Sequence, residues 1–274
     1  MPDIWETLVD MQRRGEPGAL AIVVHVEGST PREPGSKMIV KQDGSVVGSV
    51  GGGELEYQAV QLALEAMRRG KPVRQLFSLH QDLGMRCGGQ VEVYIEPIRP
   101  LEKLVVFGAG HVGAAIARMG AMLGFWVTVV DDRPGFASEE RIPEAHQFVE
   151  ASYPEAIQRM TFDRHTYAII VTHGHGHDDE VLRALADKEL AYLGMIGSRR
   201  KVQVAFENLR QAGVPEERIA RVRAPMGLDI GAETPEEIAI SVLAEIIALR
   251  RGVDVSPLGM KERVLGQPVG APAK

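Results

Sequence analysis

VVFGAGHVGAAIA, residues 105–117, decides the fold of the second half of this chain. Gly108, Gly110 and Gly113 form a G-x-G-x-x-G pattern between an apolar, strand-like run and an alanine-rich, helix-like segment. The glycines permit a tight turn, let the backbone approach a pyrophosphate, and allow close packing of helix on strand. The helix start, which includes His111, offers free N–H groups to an anion. We therefore predict a Rossmann-like strand, turn and helix at this point.

In the next segment, FWVTVVDDRP (125–134), the predicted strand ends at Asp131. A dinucleotide fold places here, about 20 residues after the first glycine, the carboxylate that accepts hydrogen bonds from ribose hydroxyls. An acid at this position favours NAD over NADP. The same glycines would also serve close packing alone, so the motif leaves open both a phosphate-bearing ligand and a purely structural turn.

From Lys103 onward, strand-like segments alternate with helical ones, which predicts a doubly wound parallel sheet covered on both faces. The strand candidates are KLVVF (103–107), FWVTVV (125–130), YAIIV (167–171) and AYLGMI (191–196). The last helix is the best delimited, because Thr234, Pro235 and Glu237 supply an N-cap, a first-turn proline and a capping-box acid. Gly252 ends it.

The first hundred residues show a different pattern, that of a smaller α+β domain. A helix is predicted over 3–14, and a buried strand over 19–27. A hairpin turns at Asp43-Gly44, and a glycine-rich turn opens a helix that stops at Gly70. Two more strands are predicted around 73–79 and 90–97. We therefore divide the chain into an α+β domain (1–99), a Rossmann-like domain (100–252) and a C-terminal tail (253–274) that is rich in proline and glycine.

Composition narrows the functional classes. Of the 274 residues, 45% are hydrophobic and 25% charged, with a net charge of -6, as in a soluble globular protein without affinity for nucleic acid. The chain has no run of about 18 apolar residues and no leader-like N-terminus, which predicts a cytoplasmic protein without a membrane span. A single cysteine, Cys87, excludes an intrachain disulfide and a cysteine-based zinc cluster.

VTHGHGHDDE (171–180) follows a predicted strand and resembles a metal-binding loop. Zinc hydrolases that begin their site with His-x-His need an acid where this chain has His177, and they need further histidines downstream. None of the eight histidines lies beyond residue 177. We therefore expect no tight zinc site in this loop. A solvent-exposed loop that faces a ligand explains the segment better, although a weak metal site stays open.

The segment GMIGSRRK (194–201) is the second candidate for anion binding. Ser198 is a natural N-cap, and Arg199 begins a run of positive residues that opposes the helix dipole. A bound anion would explain these charges, and so would a solvated first turn.

Seven motifs together resemble those of the XdhC/CoxI family, the xanthine dehydrogenase accessory proteins. They occur in order between about Trp5 and Arg251: GSTPREPGSKMIV, GSVGGGELE, CGGQVEVYIEP, VVFGAGHVG, THGHGHDD, YLGMIGSRRK and GLDIGAETPEEIAISVLAEI. The resemblance implies an accessory protein that binds molybdenum cofactor, presents it for sulfuration by a cysteine desulfurase, and inserts it into a xanthine dehydrogenase-type molybdenum hydroxylase. It implies a cofactor chaperone rather than a turnover enzyme.

Carried over by position, the resemblance implies that several residues line the cofactor: Gly51, Gly52, Gly53, Glu54, Gly108, Gly110, His111, Gly113, Asp131, His173, Ser198 and Arg199. For Gly51 to Glu54, a backbone turn with a capping acid is the alternative to a ligand role. The resemblance leaves the roles of His175 and His177 open. Cys87 stands before two glycines and beside Arg86, which favours a thiolate, so we predict that it binds molybdenum or carries sulfur, with simple core packing as the alternative.

Two further expectations concern the competing function and the assembly. The glycine motif alone favours an NAD-dependent oxidoreductase, but no convincing proton-relay pair lies outside the histidine loop. We also expect a homodimer, because apolar, glycine-rich surfaces and a tail need burial.

Overall fold

The computed structural model describes residues 3–80, 88–173, 175–255 and 258–261. They form two compact units that divide between Leu101 and Glu102. Whether these units are independently folding domains, with the boundary at 99/100 and a tail from 253, stays a prediction. Most of that tail, 256–257 and 262–274, lies outside the described residues, as does Cys87.

The N-terminal unit is a five-stranded antiparallel sheet with two helices. Its elements are α1 (Ile4–Arg14), β1 (Gly18–Glu27), β2 (Lys37–Lys41), β3 (Val46–Gly48), α2 (Gly53–Arg69), β4 (Val73–Ser78) and β5 (Gln90–Ile98). The strand order is β3-β2-β1-β5-β4. Helix α2 buries Leu55, Ala59, Ala63 and Ala66, whose spacing of three and four residues forms one helical stripe against the sheet.

The C-terminal unit is built on a parallel five-stranded sheet. Its elements are β6 (Lys103–Phe107), α3 (His111–Met122), β7 (Trp126–Asp131), β8 (Gln147–Glu150), α4 (Tyr153–Arg159), β9 (Thr166–Ile170), α5 (His175–Leu185), β10 (Tyr192–Met195), α6 (Arg199–Gln211), α7 (Glu216–Arg221) and α8 (Pro235–Arg250). The order β10-β9-β6-β7-β8, with every pair parallel, places β6 at the centre. The predicted α/β fold, with a Rossmann-like sheet after a smaller α+β unit, is confirmed.

Both faces of this sheet are covered, which explains why its central strands are apolar throughout. Val105 and Phe107 point to a core formed with α4, α5 and α6, whereas Leu104 and Val106 point to a core formed with α3 and α8. Successive residues of a strand face opposite sides of the sheet, so the apolar side chains of β6 enter one core or the other. The edge strand β8 was not predicted, because its residues are only half-buried or exposed and show no apolar run.

Helix α8 begins and ends as predicted. The Thr234 hydroxyl accepts a hydrogen bond from the Glu237 N–H, and the Glu237 carboxylate accepts one from the Thr234 N–H. Beyond this helix, residues 258–261 lie on the same unit, since Leu258 and Met260 form backbone hydrogen bonds with residues 227 and 229. Among the helices of the described residues, none combines the length and apolar character needed to cross a membrane.

Candidate functional site

The carboxyl ends of four parallel strands define the candidate site. The glycine turn follows β6, an Asp-Asp pair ends β7, the histidine loop follows β9, and the Ser198 turn follows β10. The chain leaves β6 toward β7 on one side, and β9 pairs with it on the other, so the strand order reverses beside β6. Ligands of open α/β sheets bind at such a reversal.

The three glycines of the turn have different roles. Gly108 has φ +110°, and a Cβ there would lie 2.3 Å from the Val171 carbonyl oxygen. A Cβ on Gly113 would lie 1.8 Å from the Gly108 carbonyl oxygen. Gly110, by contrast, has φ -68°, and no described atom lies within 4 Å of a Cβ built on it. Gly108 and Gly113 therefore serve close packing, whereas Gly110 leaves space beside the start of α3.

No side chain caps the start of α3, which begins at His111 directly after Gly110. The first-turn N–H groups of a helix lack partners within the helix, and the helix dipole gives them partial positive charge. Because Gly110 adds no side chain, a phosphate could approach them. The turn fits a phosphate-bearing ligand on this geometry.

Asp131 is fully buried at the end of β7. Its carboxylate accepts a hydrogen bond from the Ala109 N–H at 2.7 Å, and it accepts others from the backbone and the guanidinium of Arg133. Burial raises the pKa of Asp131, but these hydrogen bonds outweigh it and hold the pKa below its usual range. Both oxygens are thus engaged in holding the glycine turn and Arg133 together.

Asp132 lies next to this carboxylate, half-buried between two imidazoles. Its Oδ1 is 3.6 Å from Nδ1 of His173, and its Oδ2 is 3.7 Å from Nε2 of His177. The two imidazole rings are 5.7 Å apart between centroids, and the ring of His177 is 5.4 Å from that of Tyr153. Gly174 and the side chain of His175 lie outside the described residues.

A buried hydrogen bond between Thr172 and Asp178 holds the histidine segment in place. Asp178 is buried in the first turn of α5, and its carboxylate accepts a hydrogen bond of 2.6 Å from the Thr172 hydroxyl. This bond joins the end of β9 to the helix that follows. The positions of His173 and His177 are thereby set by buried contacts, although their side chains remain 47% and 41% exposed.

Ser198 occupies the N-cap position of α6, but its side chain makes no capping hydrogen bond. A cleft of about 460 Å³ opens beside it, lined by Ser198, Arg199, Met226, Ile238 and Ser241 among others. A second cleft, of about 370 Å³, carries Arg200 and Lys201 against Asp178 and Asp179. Basic side chains and an uncapped helix start therefore border a cavity at the carboxyl edge.

In the N-terminal unit, Gly51, Gly52 and Gly53 have φ values of +150°, +79° and +57°. Such a run is sterically open to glycine and costly for other residues. Glu56 closes this turn by accepting hydrogen bonds from the Ser49 hydroxyl and the Gly52 N–H. Burial raises the pKa of Glu56, yet these bonds lower it overall. Glu54 is exposed and accepts a hydrogen bond from Gln58.

The predicted site residues thus fall into two groups. One edge of the parallel sheet brings together the glycine turn, Asp131, His173, Ser198 and Arg199, whereas Gly51–Gly53 and Glu54 belong to the other unit. Asp132 and Tyr153, which were not predicted, lie beside His173 and His177. The doubled acid in VVDDRP was the available signal for Asp132. Nothing in the sequence marks Tyr153, whose position depends on how α4 packs.

Two family models match this chain. The XdhC Rossmann domain matches residues 104–246, and the XdhC and CoxI family matches residues 11–78. The chain belongs to the XdhC and CoxI family. The first match covers nearly the whole parallel sheet and the loops at its carboxyl edge, so the candidate site is part of the family's Rossmann domain.

Relatives of this family member differ in length. YqeB of Escherichia coli K12 is 38% identical over 90% of this chain and 46% of its own length. A probable xanthine dehydrogenase subunit of Bacillus subtilis 168 is 35% identical over 60% of this chain and 47% of its own. The chain thus spans about half the length of these two relatives.

Two further similarities extend over most of the other protein's length. The molybdenum cofactor insertion chaperone PaoD of Escherichia coli K12 is 23% identical over 88% of this chain and 86% of its own length. The crystal structure of a xanthine dehydrogenase from Bacillus halodurans superposes with a TM-score of 0.51 at 23% identity, over 92% of this chain and 96% of that one. This last similarity concerns the fold.

Proposed function

We propose that this chain binds molybdenum cofactor and delivers it to a molybdenum hydroxylase of the xanthine dehydrogenase type. The observation that carries the proposal is the similarity to a molybdenum cofactor insertion chaperone over 86% of that protein's length. The name of the Bacillus subtilis relative supports the same class of client enzyme. The name of the insertion chaperone PaoD supports the role of a cofactor chaperone.

The residues at the carboxyl edge fit the pterin's phosphate or dinucleotide tail. The open space at Gly110 and the uncapped start of α3 suit one anionic group, and the cleft beside Ser198 and Arg199 suits another. The cofactor, when bound, would supply the molybdenum centre on which hydroxylation chemistry depends. The protein's own residues would bind it, orient it and limit its contact with water.

The geometry of Asp131 does not support the alternative function, that of an NAD-dependent oxidoreductase. A dinucleotide fold needs an acid that can accept from ribose hydroxyls, but both oxygens of this carboxylate accept hydrogen bonds from Ala109 and Arg133. Binding of a ribose there would require Arg133 to move away.

Sulfuration by a cysteine desulfurase is the finer part of the proposal and rests on Cys87. The thiol is the only one in the chain, and Arg86 beside it favours the thiolate. Gly89, two residues on, has no room for a side chain, because a Cβ would lie 2.5 Å from the Glu27 carbonyl oxygen. A Cys87→Ser variant that folds normally should lose the ability to activate a cofactor-free hydroxylase. If the variant still activates the hydroxylase as the wild type does, the role of Cys87 in sulfuration is wrong, but the cofactor-binding role is unaffected.

The cofactor-binding role is tested by purifying the full chain from a molybdenum-sufficient host. Elemental analysis and pterin fluorescence should find molybdenum and pterin in about equal amounts on the chain. The Gly110→Val and Arg199→Ala variants should retain at least about tenfold less, because one obstructs the turn and the other removes a cation.

Arg164→Ala is the matched control for the arginine variant, since Arg164 is exposed at the opposite, amino end of β9. It should retain cofactor as the wild type does. Absence of molybdenum and pterin from the wild-type chain, or equal retention by all variants, would contradict the proposal.

A further inference from the structure

Asp132 follows β7, His173 follows β9 and His177 lies in the first turn of α5, and the three side chains meet at the carboxyl edge of the parallel sheet. The Asp132 carboxylate lies between the imidazoles, 3.6 Å from Nδ1 of His173 and 3.7 Å from Nε2 of His177. Asp131, Asp132 and His173 also place one ligand atom each within 4.8 Å of one another. Two histidines and a carboxylate are a set of ligands that transition metals accept.

The two nitrogen–oxygen distances are too long for hydrogen bonds, which lie near 2.9 Å. They are close to the separation of two ligands on one tetrahedral ion, about 3.4 Å when each ligand lies about 2.1 Å from the metal. By the same geometry, imidazoles that share an ion have centroids roughly 5 Å apart. The observed 5.7 Å requires only a small rotation of these partly exposed rings.

Two buried polar atoms beside the rings provide an independent indication. Asp132 Oδ1 and the Tyr153 hydroxyl are both buried and interact with each other, although neither makes a hydrogen bond of good geometry in the described part of the chain. Tyr153 is only 1% exposed, and its ring contacts that of His177. Buried polar atoms whose hydrogen bonds are poor can still bind a further group, so Asp132 Oδ1 can accept an additional ligand beside the rings.

Charge points the same way. Asp131 is neutralised by Arg133, which contacts it through two nitrogens. Among the described side chains, those within ion-pair distance of Asp132 are the two imidazoles, which are charged only when protonated. Arg133 also attracts Asp132, but its guanidinium is already paired with Asp131, so the two carboxylates share one arginine and a bound metal ion would balance the second negative charge.

We propose that Asp132, His173 and His177 bind one divalent transition-metal ion of the zinc, cobalt or nickel class. Two nitrogen ligands favour these ions over Mg²⁺ and Ca²⁺, which prefer oxygen. The exposed rings leave the remaining coordination position open to water or to a ligand. The Asp131 carboxylate lies close to the site, and the buried Tyr153 hydroxyl can donate a hydrogen bond to a water on the ion. This ion is distinct from the cofactor of the proposed function.

This site differs from the zinc site of His-x-His hydrolases, which the sequence did not favour for this chain. That argument searched for further ligands after His177, whereas Asp132 precedes the loop by some 40 residues and joins it only through the pairing of β7, β6 and β9. A three-ligand set with an open position is also weaker than a closed structural zinc site.

The test uses metal only, on the full chain freed of metal by a chelator and carrying no cofactor. Titration with Co²⁺, followed by visible absorption, should show one ion per chain with the intense bands of a low-symmetry site. Zn²⁺ should displace it. Asp132→Asn, His173→Ala and His177→Ala should each weaken binding by at least about tenfold, because each removes one ligand.

Two control variants are matched to these changes. His25→Ala removes an exposed histidine of β1, and Glu180→Gln removes a carboxylate that is 3.7 Å from His177 but outside the ligand set. Both should bind as the wild type does. Because Asp132→Asn is isosteric, its loss of binding at an unchanged melting temperature assigns the effect to the ligand.

Absence of stoichiometric binding by the wild type would overturn the proposal. Wild-type affinity of Asp132→Asn would overturn it as well, and loss of binding on His175→Ala in that case would assign the ion to the histidine loop alone. Neither result depends on whether the chain retains molybdenum cofactor, so the two proposals fail separately.

Discussion

At the scale of single residues, the glycines of the turn after β6 have different roles: Gly113 allows close packing, and Gly110 leaves space for a ligand. Gly113→Ala should destabilise the protein by about 1–3 kcal/mol, because its Cβ would collide with the Gly108 carbonyl oxygen, a backbone atom. Gly110→Ala should cost less than about 1 kcal/mol, since no described atom is near and its φ suits any residue. Urea unfolding of the two variants measures the difference. Equal losses of stability in the two variants would show that the backbone of the turn can shift to accommodate a side chain at Gly113.

Asp131 should make the protein sensitive to acid. Its pKa is lower in the folded state than the value near 3.9 of an unfolded chain, so its contribution to stability is full above about pH 4. That contribution is lost as the pH falls through the folded pKa, because the protonated acid releases Arg133 and the Ala109 N–H.

Asp131→Asn should therefore be less stable than the wild type at pH 7 by roughly 1–3 kcal/mol. The free energy of unfolding of the variant should also decline less between pH 5 and pH 3. Thermal unfolding across this range provides the measurement. Parallel pH profiles for the two proteins would exclude Asp131 as a source of acid sensitivity.

At the scale of elements, the starts of α6 and α8 differ in what their N-cap residues do. Thr234→Ala should lower stability by about 0.5–2 kcal/mol, because the Glu237 N–H loses its partner. Ser198→Ala should change stability little, because Ser198 makes no side-chain cap bond. It should nevertheless weaken retention of an anionic ligand beside α6. Chemical unfolding and the molybdenum analysis of both variants together test this division between structure and binding.

At the scale of the whole molecule, each compact unit has its own hydrophobic core. The N-terminal unit packs α2 on its antiparallel sheet, and the C-terminal unit has a core on each face of its parallel sheet. Fragments 1–101 and 102–274, expressed separately, should each unfold cooperatively, because a domain with its own core can fold alone. Circular dichroism during heating measures this. A fragment without a cooperative transition would show that the two units depend on each other.

Much of the fold was predictable because its signals are local. Apolar runs mark β6, β7, β9 and β10, and caps delimit α8, since strand burial and helix ends depend on neighbouring residues. The edge strand β8 lacks such a signal, because the pairing with β7 rather than burial makes it a strand. The family resemblance was equally visible, since its motifs are contiguous.

The sequence by itself determined the family, the two-part architecture and the position of the glycine turn between strand and helix. Only the tertiary structure decided which of two neighbouring carboxylates is held by hydrogen bonds within the protein and which can bind a ligand. Asp131 and Asp132 are adjacent and chemically identical, yet the Asp131 carboxylate accepts hydrogen bonds from Ala109 and Arg133, whereas the Asp132 carboxylate lies between His173 and His177. Contacts between loops distant in the chain depend on strand order, which sequence periodicity does not encode.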